Sequence, residues 1–413
     1  MAFGEEAKAR ILTAVLGEGS ISRAGLAAST GLSPSRVTKV VAPLVESGIL
    51  KEVGVAVSVG PGRPKRMLAV NRNCTSVVGI KLVPTAVTGV LTDMNAEITA
   101  RAVRRLHSHK PEPTMLAAHE VYQELRSVAV ANRVPPAALG VGVGGHVNTG
   151  TGVCVWSWIM DWSDVDIAGP LRVATGLPVL VSNDVNTLAV AEHWFGRGRG
   201  TESFAVVTTG AGVGCGLVLR GRLYTGVSGL AGELGHLPLQ PDGPECTCGN
   251  RGCLEAVASD RAILRFLQDK GVQDCRSVQQ AMRLAQDEET AAGAAAREAF
   301  AVTGHALGRG LAALCNLLNL NKVILSGEGA IAYPLFRSEL EASWRKHSFS
   351  TAADDCDLII NLVDDDQWGR GAACLAIQEL VSSARMWPPG STETTRSAAR
   401  PGSVALKQGD DTQ

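Results

Sequence analysis

The sequence predicts a mixed α/β protein in which a small helical module with a β-hairpin precedes a larger domain of two similar lobes. The first 72 residues combine three helical patterns with two β-rich runs. From Ser76 onward strands and helices alternate, and a strand, turn, strand arrangement occurs twice. With 413 residues, of which 45% are hydrophobic, the chain is long enough for two or three folded domains.

Helical patterns fill the amino-terminal module. Apolar residues recur at helical spacing over residues 7–15, and a second helix is expected within residues 22–31. A third helix begins after Ser33, whose hydroxyl can cap it, with Pro34 at the first helical position, where a missing N–H is harmless. Pro43 should kink this helix. Its apolar stripe faces inward, so the polar residues that point outward are Ser35, Arg36, Thr38 and Lys39.

A basic hairpin completes the module. Two β-rich runs, residues 49–59 and 67–70, flank the segment G-P-G-R-P-K-R, which is typical of a wing. In a winged helix-turn-helix the second helix of the pair enters the major groove, while the wing contacts phosphates or a narrow minor groove. The alternative is a winged helix that binds another protein. The predicted DNA-binding residues are Ser33, Ser35, Arg36, Thr38, Lys39, Arg63, Lys65 and Arg66.

Charge is distributed unevenly along the chain. The net charge is −1, yet residues 1–72 contain ten Lys or Arg against five Glu. The module therefore carries +5 and the remainder −6. This asymmetry favours a DNA-reading module attached to an acidic domain.

The most specific motif runs from Glu233 to Glu255. It contains four residues that a tetrahedral Zn²⁺ ion prefers as ligands, namely His236, Cys246, Cys248 and Cys253. Because these four would fill the coordination shell, the zinc should be structural and should fix the loop that carries Glu233, His236 and Glu255. The alternative is a group of ordinary buried cysteines. The other seven cysteines have no framework spacing, which indicates free thiols in a reducing compartment.

The pattern E-x-G-H followed by C-x-C-G-x-x-G-C-x-E resembles the signature of the ROK family, which is named for its repressors, open reading frames and sugar kinases. The resemblance covers residues 1–383, including a G-R-P segment in the wing. It implies an actin-like (ribonuclease-H-like) pair of ATPase-type lobes behind a winged helix-turn-helix, with a sugar bound between the lobes. The expected domains are residues 1–72, residues 76–385 with the zinc loop at 236–253, and a disordered tail at 386–413.

A sugar site is expected around the sequence N-D-V-N. Asp184 follows an apolar strand and precedes a helix, whose dipole favours an ionised carboxylate. A plain capping aspartate is the alternative. The match to the family motif N-D-x-N implies that Asp184 stands at the position of the catalytic base of the kinases. The expected sugar-binding residues are Gly145, Asn183, Asp184, Glu233, His236 and Glu255. Trp156, Trp158 and Trp162 could supply a stacking face, but a Trp-rich stretch is more typical of packing or an interface, so they are not counted as site residues.

The phosphate loops give opposite signals. The second-lobe turn, with Gly210, Gly212 and Gly214, retains the glycines that could cradle a phosphate, and the sequence S-G-E-G at 326–329 resembles the adenosine-side turn. In the first lobe the family's D-x-G-x-T is replaced by Lys81-Leu82-Val83-Pro84-Thr85. A cation replaces a carboxylate and Val83 replaces a glycine, so neither kinase activity nor ATP and Mg²⁺ as cofactors are expected.

These observations predict a sugar-responsive transcriptional regulator, specifically a repressor. Its expected partners are a pseudo-palindromic double-stranded DNA operator, a small sugar effector and further copies of the chain in a homodimer or homotetramer. The alternatives are an ATP-dependent sugar kinase with an added DNA-binding module and a constitutive DNA-binding protein with a ligandless scaffold. With no signal peptide or membrane-spanning segment in the sequence, the protein is expected in the cytoplasm without a membrane partner.

Overall fold

A computed structural model describes residues 2–56 and 65–383. The amino-terminal module contains three helices and a three-stranded sheet of order β1-β3-β2. Ser22 and Ser33 cap α2 and α3, since their hydroxyls accept hydrogen bonds from Gly25 N and Arg36 N. Helix α3 continues through Pro43 to Glu46. The elements are α1 (Ala2–Glu18), β1 (Ile21–Ser22), α2 (Arg23–Thr30), α3 (Pro34–Glu46), β2 (Leu50–Ala56) and β3 (Lys65–Val70).

The first lobe is a five-stranded sheet of order β11-β7-β4-β5-β6 with a three-stranded sheet β10-β9-β8 beside it. Strands β11, β7 and β4 are parallel, whereas β4, β5 and β6 form an antiparallel meander. Its elements are β4 (Ser76–Val83), β5 (Ala86–Thr92), β6 (Ile98–Arg105), α4 (Pro111–Ala131), β7 (Pro136–Val143), β8 (His146–Asn148), β9 (Val153–Ser157), β10 (Trp162–Asp166), α5 (Ala168–Thr175) and β11 (Val179–Asn183).

The second lobe repeats this topology as a sheet of order β14-β13-β12-β15-β16, again with an antiparallel meander and two further parallel strands. The predicted pair of similar lobes is therefore present. Its elements are α6 (Asp184–Phe195), β12 (Phe204–Thr209), β13 (Val213–Leu219), β14 (Arg222–Tyr224), α7 (Leu254–Ala258), α8 (Asp260–Asp269), α9 (Val278–Ala285), α10 (Ala291–Leu318), β15 (Lys322–Ser326), α11 (Tyr333–His347), β16 (Asp357–Ile360) and α12 (Asp365–Ser382).

Helix α12 leaves the second lobe and packs on the sheet of the first. Its approach is close because Gly79 and Gly140 lack side chains: a Cβ on either would lie about 2 Å from a backbone oxygen of α12, 2.0 Å from Gly369 O and 1.8 Å from Ala372 O respectively. The far end of α12, at Ile377, Leu380 and Val381, shares one hydrophobic core with α1. One helix thus contacts the first lobe and the amino-terminal module.

Most predicted element positions are confirmed. The sequence pattern predicts strands at 77–82, 87–92, 179–182 and 204–209. Strand β12 has the predicted bounds, β5 and β11 differ from them by one residue at one end, and β4 differs by one residue at each end. The pattern also predicts a helix at 188–195, and α6 begins four residues earlier, at Asp184, because Asn183 caps it. The predicted tail at 386–413 and the wing tip lie outside the described residues.

Candidate functional site

A cleft of about 590 Å³ lies between the two lobes, within the range typical of small-molecule sites. Polar residues reach it from turns at strand ends in both lobes and from the predicted zinc loop. The structure brings together at this cleft all six residues that the sequence suggests as sugar ligands, namely Gly145, Asn183, Asp184, Glu233, His236 and Glu255.

Asn183 fixes one wall of the cleft. Its side-chain oxygen accepts hydrogen bonds from Val185 N at 2.9 Å and Asn186 N at 3.4 Å, so Asn183 is the cap of α6. Its Nδ2 donates to Gly145 O at 3.0 Å. Gly145 has a φ of +121°, and a Cβ there would lie 2.4 Å from Trp156 O, so glycine is needed for this turn. Asn183 is thus the N-cap residue, and the carboxylate of Asp184 also accepts a hydrogen bond from Val185 N at 2.9 Å.

Asp184 is the first residue of α6, and its carboxylate forms an ion pair with the ammonium of Lys81. The side chains are only 10% and 14% exposed, so water screens the pair weakly. Lys81 Nζ also lies 4.5 Å from the ring centroid of Trp368. The ammonium of Lys81 thus faces the carboxylate that stands at the base position of the family motif. From the sequence, Lys81 is seen to stand where the family motif has a carboxylate, but its pairing with Asp184 is not predicted.

The four predicted metal ligands form one cluster, with their ligand atoms within 4.8 Å of one another. His236 Nδ1 lies 3.5 Å from Cys246 Sγ, and Cys248 Sγ lies 3.7 Å from Cys253 Sγ. A tetrahedral zinc ion with Zn–S bonds of about 2.3 Å and a Zn–N bond of about 2.0 Å separates its ligand atoms by roughly 3.5 to 3.8 Å. The donor set and its spacing are therefore compatible with structural zinc.

The same loop aims polar groups into the cleft. The other ring nitrogen of His236, Nε2, lies 3.9 Å from Glu233 Oε2. Glu255, two residues after Cys253, lies in the first turn of α7, and its Oε2 accepts a hydrogen bond from Val213 N at 3.1 Å. Partial burial raises the pKa of Glu233, and the neighbouring His236 opposes this. The metal cluster and three of the candidate sugar ligands, Glu233, His236 and Glu255, thus belong to one segment of the chain.

Aromatic residues form two walls of the cleft. Trp156 and Trp158 line it and are half-exposed, so they are not core packing residues. Trp162 is buried and donates from Nε1 to His109 O at 2.7 Å, as expected of a packing residue. The guanidinium of Arg261 in the second lobe lies 4.9 Å from the Trp158 ring of the first. Trp368, at the start of α12, is the other aromatic wall.

The glycine turn between β12 and β13 faces two carboxylates of the chain itself. A Cβ on Gly212 would lie 2.6 Å from Glu255 Oε2, and one on Gly210 would lie 3.0 Å from Glu328 Oε2. Glu328 Oε1 accepts a hydrogen bond from Trp368 Nε1 at 2.8 Å. Gly210, Gly212 and Gly214, which the sequence suggests as the remnant of a phosphate loop, all line the cleft. The carboxylates of Glu255 and Glu328 lie against this turn, and the N–H of Val213 is bonded to Glu255.

The predicted DNA-reading face of α3 is exposed. Ser33, Ser35, Arg36, Thr38 and Lys39 all point away from the core, whereas Val37, Val41 and Leu44 are buried. Thr38 Oγ1 donates to Pro34 O at 3.0 Å.

The described part of the wing departs from expectation in one respect. Arg66, predicted to reach phosphate, pairs with Glu52 at 2.6 Å, and Arg23 pairs with the same carboxylate at 3.1 Å. These two cations hold the pKa of Glu52 below its usual range. Arg63 and the side chain of Lys65 lie outside the described residues.

The architecture is an actin-like pair of α/β lobes that carries an amino-terminal winged helix-turn-helix. The ROK family model matches residues 77–379, and a winged helix-turn-helix DNA-binding model matches residues 6–51. The chain therefore belongs to the ROK family. Within residues 2–56 and 65–383, no helix combines the length and apolar character needed to cross a membrane.

Similar proteins include both regulators and kinases. The xylose repressor of Bacillus subtilis is 28% identical over 91% of this chain and 96% of its own length. The glucokinase of Halalkalibacterium halodurans is 32% identical over 58% of this chain and 76% of its own length. The crystal structure of a ROK family transcriptional regulator, a homolog of the E. coli MLC protein, has a TM-score of 0.80 at 24% identity, covering 94% of this chain and 98% of its own. This last similarity shows the shared fold.

Proposed function

We propose that this protein is a transcriptional repressor whose binding to a pseudo-palindromic operator changes when a sugar occupies the interlobe cleft. The observation that carries the proposal is that one helix, α12, contacts both sites. Trp368 in its first turn lines the cleft, and Ile377, Leu380 and Val381 in its last turns share a core with α1 of the DNA-binding module. The likeness to the xylose repressor supports the same function.

Sugar binding is assigned to the side of the cleft that holds Gly145, Asn183 and the zinc loop. Carboxylates and amides suit vicinal hydroxyl groups because they present fixed acceptors, or a donor beside an acceptor. Glu233, His236 and Glu255 are assigned to the hydroxyls, with Asp184 at the inner end of the cleft. Trp156 and Trp158 provide apolar ring faces for the C–H groups of a sugar.

Zinc is assigned a structural role at His236, Cys246, Cys248 and Cys253. When bound, it supplies a fixed tetrahedral centre with no open position for water. The ring of His236 then serves two sites: Nδ1 faces the cysteines and Nε2 faces the cleft beside Glu233. This arrangement sets the distance between the metal cluster and the sugar hydroxyls.

Helix α12 is assigned the role of transmitting sugar binding from the cleft to the DNA-binding module. A sugar can shift the protein between two arrangements only if it binds one of them more tightly. Trp368 is hydrogen-bonded to Glu328 of the second lobe, and Arg199 donates from Nε to Gly17 O at the end of α1 at 2.9 Å. Movement of the second lobe against Trp368 would therefore shift α12 and, through the shared core, the DNA-binding module. In a homodimer or homotetramer this changes the spacing of the two reading helices.

The experiment begins with selection of an operator from random duplex DNA and a thermal-shift screen of neutral sugars with the zinc-loaded protein. A ligand that binds the native state must raise its stability. We expect one sugar class to stabilise the protein and to change its affinity for the operator at fixed salt. Stabilisation without any change in operator affinity would contradict the proposal, and a lack of stabilisation by any sugar at millimolar concentration would favour a constitutive DNA-binding protein.

The DNA-binding residues are tested separately. Arg36→Ala should weaken operator binding much more than binding to random DNA, because base contacts specify and phosphate contacts only position. Glu46→Ala, at the other end of α3, serves as the control in the same fluorescence anisotropy measurement. Equal losses on both kinds of DNA would remove Arg36 from the base-reading residues.

A sugar kinase with an added DNA-binding module is the second candidate, favoured by the likeness to glucokinase. The Lys81–Asp184 ion pair argues against it, because the carboxylate at the position of the base is already paired with a cation. Coupled ATP-consumption assays over hexoses, pentoses and N-acetylated sugars distinguish the two. Turnover that Asp184→Asn abolishes would establish the kinase.

A further inference from the structure

The cleft offers little positive charge to a phosphate. Among the described residues that line it, Lys81 is the only one with a permanent positive charge, against the four carboxylates of Asp184, Glu233, Glu255 and Glu328. The positive charge of Lys81 is already neutralised within the protein, because its ammonium pairs with Asp184. The ammonium also lies over the Trp368 ring. The guanidinium of Arg261 faces the ring of Trp158.

Carboxylates lie against the glycine turn that would hold a phosphate. In the second lobe, Val213 N donates to Glu255, and Glu328 lies against Gly210. In the first lobe, Val83 and Pro84 line the cleft at the turn between β4 and β5, and proline has no N–H to donate. A phosphate placed between these turns would lie beside the negative charges of Glu255 and Glu328.

A further carboxyl group, that of Asp260, belongs to a residue bonded to the same glycine turn. Asp260, the first residue of α8, donates from its backbone N to Gly210 O at 2.8 Å. Burial and the charge of Glu328 raise the pKa of its side chain to about 6. An added phosphate would carry further negative charge into a region that already disfavours ionisation of a carboxyl group.

We infer that the cleft selects an uncharged, unphosphorylated sugar and rejects sugar phosphates and nucleotides, because Glu255 and Glu328 lie against the second-lobe glycine turn and Asp184 neutralises Lys81. The inference rests on the proposed function and names the chemical class of its effector. The selectivity comes from like-charge repulsion at the turn residues and leaves the hydroxyl-binding residues Asn183, Glu233 and His236 available to the sugar. A phosphate ester should bind at least about a hundredfold more weakly than the parent sugar.

The experiment compares matched pairs by isothermal titration calorimetry with the full-length, zinc-loaded protein at pH 7.5. Glucose, xylose and N-acetylglucosamine are each titrated beside the corresponding terminal phosphate ester, with a non-hydrolysable ATP analogue as a further ligand. We expect the free sugar of at least one pair to bind at least about a hundredfold more tightly than its ester, and no binding of the nucleotide. Equal affinity for the ester, or a preference for it, overturns the inference while the proposed function stands. Binding of neither member of any pair overturns the proposed function and this inference with it.

The substitution Glu328→Gln tests whether the negative charge of Glu328 causes the rejection of phosphate esters. The amide oxygen can still accept from Trp368 Nε1, so the substitution chiefly removes a negative charge. We expect the preference for free sugar over phosphate ester to fall about tenfold. Glu298→Gln, which makes the same charge change at an exposed carboxylate paired with Lys270, should keep the wild-type preference. An unchanged preference in Glu328→Gln, or an equal fall in both variants, would remove Glu328 from the selective residues.

Discussion

The two halves of the cleft differ in how their polar groups are used. On the sugar half, the side chains of Glu233 and His236 remain 45% and 29% exposed and lie 3.9 Å from each other, open to the cleft. On the phosphate half, Lys81 and Asp184 are 10% and 14% exposed and neutralise each other, while Glu328 binds Trp368. The comparison teaches that one fold can retain ligand-binding groups on one side of a cleft and use those on the other side to join its own elements.

Loss of the metal should have the largest effect, because it disturbs the sugar half as a whole. Cys248→Ser should reduce bound zinc from about one ion per chain to near none and abolish stabilisation by sugar, since Glu233, His236 and Glu255 lose their common support. Metal content is measured by elemental analysis and sugar response by thermal shift. Cys74→Ser, which alters a thiol outside the cluster, is the control. Unchanged zinc content in Cys248→Ser would refute the metal assignment.

Breaking the Lys81–Asp184 ion pair should affect the protein less than loss of the metal does. It should still have the largest effect of any single substitution in the phosphate half of the cleft. Lys81→Met leaves Asp184 as an unpaired, nearly buried carboxylate, so we expect the free energy of unfolding to fall by about 3 to 5 kcal/mol. Denaturant unfolding measures this loss. In the double variant Lys81→Met/Asp184→Asn most of the loss should be recovered. Equal stability of Lys81→Met and the wild type would show that the pair is absent in solution.

Trp368 tests whether the phosphate half transmits the signal. Trp368→Phe retains the ring but removes the hydrogen bond from Nε1 to Glu328. We expect the effect of sugar on operator affinity to fall about fivefold, with a smaller change in sugar binding itself. Operator titrations with and without sugar measure this effect. Trp344→Phe, the same substitution at a buried residue of α11, is the control. An equal response in Trp368→Phe and the wild type would exclude this route.

The smallest expected effect concerns pH. Burial and the charge of Glu328 raise the pKa of Asp260 from its ordinary value of 3.8 to about 6. A carboxyl group whose pKa is raised in the folded state makes the protein less stable as the pH increases from about 4 to about 6. Asp260→Asn removes this loss, so the variant should gain about 1 kcal/mol relative to the wild type between pH 5 and pH 7.5. Urea unfolding at both pH values, with Asp269→Asn as control, checks this; a constant difference would contradict it.

Local features of the fold could be predicted from the sequence. The cap at Ser33 and the strand at 204–209 depend on a few neighbouring residues. The metal cluster was also accessible, because three of its ligands lie within eight residues and chain spacing alone brings them together. The repeated strand, turn, strand pattern correctly indicated two lobes.

Contacts between distant segments were not accessible in the same way. Lys81 and Asp184 are 103 residues apart, and Glu328 and Trp368 are 40 apart. One signal could have been used: Lys81 stands inside an otherwise apolar strand, and a buried lysine requires a partner of opposite charge. No comparable signal marks Trp368, because its position in the cleft depends on how α12 packs across both lobes.

The most direct test of communication between the cleft and the DNA-binding module is the affinity for sugar, measured by calorimetry with the protein free and then saturated with its selected operator. By thermodynamic linkage, the factor by which sugar changes operator affinity equals the factor by which operator changes sugar affinity. If α12 joins the two sites, the two sugar affinities should differ by at least about fivefold. Identical sugar affinities in the free and operator-bound protein would contradict the account.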